Sequence, residues 1–290
     1  FGSKGRGSLI NRQTTAAHEY AHRIDYRILE DVAANDGNFK KLIEGYSTTK
    51  YSKQSAIQLK LRHPSNPNIK NNVFVPKTYS EIAGDEIAKD YTALRLNSPT
   101  RRASSTNAAR NAERNFLKTA VNPTDNVARE KYYADLVKKQ PKLPGISDSD
   151  LMYYLKETRK ENYKYLPVTS EDLYKFKAKI NDKMMLPTGG YDLDFNTKFN
   201  DYVGAITRNE IGDGHEMSYY LDRRIVGLLD DGTGLSDSMI KESYAEYVST
   251  MKHPDKIVRN VEIQLMKHYA PNTTKAYDTL MKRLDKIYAR

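Results

Sequence analysis

His18-Glu19-Tyr20-Ala21-His22 is an H-E-x-x-H run. Histidines at i and i+4 of a helix project from one face, about one turn apart, so both imidazoles can bind a single zinc ion. The intervening Glu19 then stands beside the ion, placed as a base for an attacking water. The same letters also fit an amphipathic helix with incidental histidines. A third protein ligand decides between the two, because a catalytic zinc takes three side chains and keeps a fourth position open. One zincin branch would carry glycine three residues after His22 and histidine three further on. Asp25 and Ile28 occupy those positions, which excludes it.

The best candidate for the third ligand is Glu242, in Glu242-Ser243-Tyr244-Ala245-Glu246-Tyr247. Glu242 and Glu246 are i and i+4, so their carboxylates share a side. One can bind the metal while the other hydrogen-bonds a ligating histidine or holds a neighbouring side chain. Alone, the pair is an ordinary surface helix with two glutamates; the histidine run gives it a purpose. Asp25 lies about one turn beyond His22. It reads equally as an acceptor for the Nδ1 proton of a ligating histidine and as a solvated surface carboxylate.

Composition narrows the chemistry. The chain of 290 residues has no cysteine, which excludes disulfides, thiolate zinc ligands and a cysteine nucleophile. Any zinc site must use His, Asp, Glu and water. Lysine and arginine number 47 against 37 acidic residues, a net charge of +10 that favours polyanions or acidic partners. No apolar run is long enough to cross a membrane. Phe1 to Gly7 read as the cut edge of a longer polypeptide, and no signal peptide is visible.

These residues must be positioned by helices. Thr14 or Thr15 can cap a helix to about Val32, with Ala17, Tyr20, Ala21, Ile24, Ile28 and Leu29 on its apolar face. A short helix over Asn38–Glu44 follows, ended by Gly45. Ile57, Leu59 and Leu61 alternate with polar residues, and Val73-Phe74-Val75 is a second apolar run; together they predict a long-looped β-hairpin. Beyond it the pattern is helical, near 80–97, 105–120, 125–139, 148–164, 170–185, 196–208, 215–229, 237–252, 256–269 and 274–289. Ser80, Ser147, Thr169 and Ser236 are candidate caps. The stretch Arg101–Lys142 is basic, with Tyr132 and Tyr133 among its cations. It reads first as a solvated helical face, and second as a surface for DNA or another polyanion. His63, His253 and His268 read as structural or exposed.

The segment His18–Asp25 resembles the zincin segment of the metallopeptidase domain in phage minor head (Mu F-type) proteins, and is similar to that of the anthrax lethal-factor catalytic domain. Asp201-Tyr202-Val203-Gly204-Ala205-Ile206-Thr207, leading to Gly214-His215-Glu216-Met217-Ser218-Tyr219-Tyr220, resembles a Gly-His block with an aromatic pair in the phage zincins. Glu242–Glu246 resembles the glutamate helix of both groups. The resemblance covers residues 14–30 and 197–255, about a quarter of the chain. It implies a mainly α fold of α+β zincin-like type. Its core would comprise residues 1–45 and 191–290, interrupted by an inserted basic helical subdomain with the hairpin, 46–190. Residues 46–190 are longer than the link of a compact phage zincin. The sheet that usually precedes the metal helix is not visible, and is expected upstream of Phe1.

The resemblance further implies that His18, His22 and Glu242 are the zinc ligands, with Glu19 as general base and Glu246 and Asp25 in support. Tyr219 and His215, four residues apart on one helix face, are the candidates to stabilise the oxyanion. Lethal-factor-like enzymes place a tyrosine just before the glutamate helix for that task, whereas this chain has Leu235 and other non-aromatic residues there. The expected activity is zinc-dependent endopeptidase cleavage of a protein or peptide. Its setting would be a phage particle with capsid or portal partners, or the host after delivery. A virion structural or DNA-associated protein with a little-used site, and a secreted toxin domain, are the alternatives.

Overall fold

A computed structural model describes residues 9–49, 76–97, 126–160, 198–212, 215, 217–221, 223–229 and 232–289. The expected strands at 57–61 and 73–75, the helices near 105–120 and 170–185, and Thr169 lie outside these residues, as does the basic stretch up to residue 125. The described chain is mostly helical, with one small antiparallel sheet. Among the described residues no helix is long and apolar enough to cross a membrane.

Helix α1 spans Leu9–Asn35 and α2 spans Gly37–Thr49. A 3-10 turn over Ser80–Ala83 leads into α3, Gly84–Asn97. Then come α4 (Asn126–Lys139), α5 (Asp148–Lys160), α6 (Lys198–Ile206) and the short α7 (Met217–Leu221). Strands β1 (Ile225–Leu228) and β2 (Gly234–Ser236) form a hairpin that runs directly into α8, Asp237–Met251. Helices α9 (Lys256–Tyr269) and α10 (Pro271–Tyr288) complete the described fold.

Helix α8 is the axis of the molecule: α1 packs on one side of it and α6 on another. Every residue from Asp237 to Thr250 except Lys241 is buried. A helix buried all round carries apolar residues on every face as a rule. Here Glu242, Ser243, Glu246, Ser249 and Thr250 go inside too, so each must find polar partners. Its start is fixed by Ser236, whose extended backbone and hydroxyl accepting from Met239 N at 3.4 Å make an N-cap, as the sequence predicts. Lys241 donates to Asp237 at 2.7 Å and to the Tyr26 hydroxyl at 2.6 Å, tying α8 to α1.

On α1 the buried residues are Thr14, Ala21, Asp25, Ile28 and Val32, with His18 and His22 half-buried on the same stripe. The histidines therefore face α8. Residues 76–97, which fall within the expected insertion, pack into this same core through Tyr79, Ala83, Ile87, Tyr91 and Leu94. Much of the core is tyrosine: Tyr79, Tyr91, Tyr202, Tyr220, Tyr244, Tyr247 and Tyr277 are fully buried. Their hydroxyls take internal partners, as when Tyr277 donates to Ile240 O at 3.1 Å and Tyr79 to Leu280 O at 3.0 Å.

Several local expectations are corrected. Gly45 does not end α2, which continues to Thr49 because α2 packs back along α1. Ser80 does not cap the following helix; its hydroxyl and N–H both go to Asp25. The predicted helix 215–229 is instead the short α7 followed by β1. Ile225 pairs with Ser236, and after a bulge Gly227 pairs with Leu235 and Leu228 with Gly234. β-branched Ile225 and Val226 favour the strand, and Gly232, at φ +73°, supplies the turn. By contrast Ser147 does cap α5, accepting from Asp150 N at 3.1 Å.

Candidate metal centre

The face-to-face packing of α1 on α8 brings His18 and His22 to Glu242. The two Nε2 atoms lie 3.0 Å apart. His18 Nε2 is 3.5 Å from Glu242 Oε2, and His22 Nε2 is 3.6 Å from Oε1. One ligand atom from each of the three residues lies within 4.8 Å of the others. A tetrahedral zinc with bonds of about 2.0–2.1 Å has ligand–ligand edges of about 3.3–3.4 Å. The observed separations bracket that value. Two nitrogens and a carboxylate are also the donors zinc accepts when cysteine is absent, so the donor set suits that ion.

The electrostatics are those of imidazoles set against buried carboxylates. Burial pulls the His18 pKa down, but the close Glu242 and Glu246 carboxylates outweigh it and lift the group to about 9. Burial alone would raise Glu242; the His18, His22 and Tyr219 contacts instead hold it well below the usual carboxylate range. Without a metal, the cluster therefore holds a proton between buried anionic and imidazole groups.

Behind the ligands lies Glu246. Its Oε1 is 3.0 Å from His18 Nδ1, a close charge contact rather than a well-aligned hydrogen bond. Its other contacts are Lys198 Nζ at 3.0 Å from Oε2 and Ser249 Oγ, which donates to Oε2 at 3.3 Å. Burial would raise this carboxyl as well, but His18 and Lys198 hold it low. Glu246 thus lies between His18 and Lys198.

In front of the ligands lies α7. The Tyr219 hydroxyl donates to Glu242 Oε1 at 2.8 Å, and burial beside that carboxylate pushes the phenol up to about 12. His215 stacks on Tyr219, with ring centroids 4.1 Å apart, and its Nε2 is 3.6 Å from Glu242 Oε2. Arg223 lies over the Tyr219 ring at 4.6 Å. The chain reaches this position by a tight return after α6. Gly212, at φ +85°, crosses so close to α6 that a Cβ would lie 2.5 Å from Asn200 O. Glu19 is exposed, about 60° around the α1 axis from His22.

Asp25 has a different task from either one expected of it. It is buried, not solvated, and its carboxylate does not serve a histidine. Oδ1 accepts from Ser80 N at 2.8 Å and Oδ2 from Ser80 Oγ at 2.6 Å. Burial raises its pKa to about 6 against those hydrogen bonds. Asp25 fastens the loop before α3 to the metal helix.

Lys198 is the residue that sequence reasoning missed. The available signal was a lysine opening a helix, where the macrodipole disfavours a cation, which implies an acidic partner elsewhere. Of the basic stretch, the described cations Lys138 and Lys142 are exposed and sit beside Asp135 and Asp148 at 3.5 and 3.1 Å. Compared with protein-family models, curated proteins and solved structures, the chain matches none.

Proposed function

We propose that this chain is a zinc-dependent endopeptidase of the H-E-x-x-H…E type, with a zincin-like core. One observation carries the reading: imidazoles from the first described helix and a carboxylate from α8 converge at tetrahedral spacing, with an exposed glutamate beside them. A coincidental pair of histidines on an amphipathic helix has no need of a buried carboxylate opposite both.

In this reading His18 and His22 hold the ion through Nε2, and Glu242 completes the protein ligands. Zinc bound there would acidify a water towards neutral pH and polarise the substrate carbonyl. Glu19 takes one proton from the attacking water as its oxygen bonds to the carbonyl carbon. The same carboxyl then delivers that proton to the departing amine as the C–N bond breaks. The Tyr219 hydroxyl, on turning from Glu242, and His215 Nε2, 3.6 Å from the same carboxylate, would be the donors to the developing oxyanion. Glu246, 3.0 Å from His18 Nδ1, would accept a hydrogen bond from the Nδ1–H of the metal-bound histidine and so fix its tautomer.

The sequence resemblance supports a phage virion setting, with a capsid or host protein as the substrate. The test is Glu19→Gln. Zinc should stay bound while cleavage of a peptide library falls about 10²–10⁴-fold, the usual contribution of a general base. Wild-type protein that binds zinc but cleaves no library peptide would support a structural metal instead.

A further inference from the structure

We propose that Lys198 is a positioning residue for the metal site, acting on His18 through Glu246; this rests on the zinc reading above. The α6 residue reaches across to α8, with Nζ 3.0 Å from Glu246 Oε2 and 3.3 Å from Oε1. Glu246 in turn lies 3.0 Å from His18 Nδ1, on the face of the imidazole opposite the Nε2 that meets Glu242. The three residues form a line from α6 through α8 to α1. Asp201, one turn along α6, holds the ammonium from its other side at 3.8 Å.

The chemistry explains why a cation is needed at the end of this line. A histidine that binds a metal through Nε2 is neutral, with its proton on Nδ1. Glu246 must then remain an acceptor while buried, without a charged imidazole facing it. A buried carboxylate needs a paired cation and filled lone pairs. Among the described residues Lys198 is the cation in contact with Glu246, and Ser249 fills a remaining site on Oε2. A second carboxyl, Glu262 on α9, is buried within electrostatic reach of both Glu246 and Lys198, and accepts from Thr250 at 3.4 Å and Tyr154 at 3.5 Å. Without Lys198, Glu246 would be buried with no paired cation and would lose its hold on His18.

The experiment titrates metal-free protein with zinc against a chromophoric chelator and records the visible spectrum of the cobalt(II)-substituted form. It also measures the thermal midpoint of the metal-free chain. Lys198→Met should weaken zinc binding about 10- to 100-fold, the scale for an outer contact of a metal ligand, and perturb the cobalt bands. Lys198→Arg should recover most of the affinity. Because Lys198 acts through Glu246, adding Lys198→Met to Glu246→Gln should cost little more than Glu246→Gln alone.

Zinc affinity unchanged in Lys198→Met, with only the thermal midpoint lowered, would reduce Lys198 to a structural ion pair and overturn the proposal. Additive losses in the double variant would overturn it equally. If Lys198→Met does not fold, Lys198→Gln is read by the same outcomes. Wild-type protein with no zinc affinity would remove the zinc reading as well, which separates that failure from this one.

Discussion

Glu242 meets both histidines of the opening helix with one carboxylate: Oε2 lies 3.5 Å from His18 Nε2, and Oε1 lies 3.6 Å from His22 Nε2. Glu242 is far in sequence from the two histidines, and the packing of α1 on α8 joins it to them. Replacing any one by alanine should therefore cost more zinc affinity than the about 10- to 100-fold lost with an outer contact. Chelator competition on His18→Ala, His22→Ala and Glu242→Ala measures this. Wild-type affinity in all three variants would place the metal elsewhere.

In the proposed site zinc would compete with a proton for His18. With its metal-free pKa lifted to about 9, zinc binding at neutral pH must release a proton. Apparent affinity should rise about tenfold per pH unit up to about pH 9 and then flatten. The folded pKa is raised above the ordinary value of 6.5. The proton on His18 therefore stabilises the metal-free fold fully below pH 6.5, and that contribution is lost as pH rises through 9. Thermal melts with and without zinc should thus diverge as pH rises across this window. A zinc-induced shift that shrinks with rising pH would contradict the assignment.

Asp25 should matter for folding rather than for metal. Asp25→Ala leaves the buried Ser80 N–H and hydroxyl without their acceptor, at a cost of about 2–4 kcal/mol. Denaturant melts should show that loss, while zinc affinity changes less than in Glu246→Gln. The reverse pattern would return Asp25 to the supporting role first expected of it.

Tyr219 offers a separable test of the oxyanion side. Tyr219→Phe removes one hydrogen bond to Glu242, so zinc affinity should fall about tenfold, the low end for an outer contact of a metal ligand. If the hydroxyl also serves the transition state, kcat should fall about 10²–10³-fold. A change in zinc affinity with no change in kcat would leave Tyr219 as a tether for Glu242.

The metal helix and the glutamate helix were legible because both signals are local. The histidines stand at i and i+4 on an apolar stripe, and Ser236 announces α8 by its type and place. The hairpin at 225–236 was not, since its strands are short and bulged, and Tyr220, Leu221, Ile225 and Leu228 also fit a helical period. Asp25 and Lys198 were misread or missed for one shared reason. Their partners, Ser80 and Glu246, lie in other elements, and no spacing along the chain encodes a contact made only by packing. That α8 is buried on every side was hidden by its glutamates and hydroxyls, which find their partners only in the folded chain.

The most direct measurement is the metal-edge diffraction or absorption signal of zinc-loaded protein. The proposed site requires one zinc per chain, bonded at about 2.0–2.2 Å to Nε2 of His18, Nε2 of His22 and the carboxylate of Glu242. Sub-stoichiometric zinc, or an ion bound without Glu242, would contradict it.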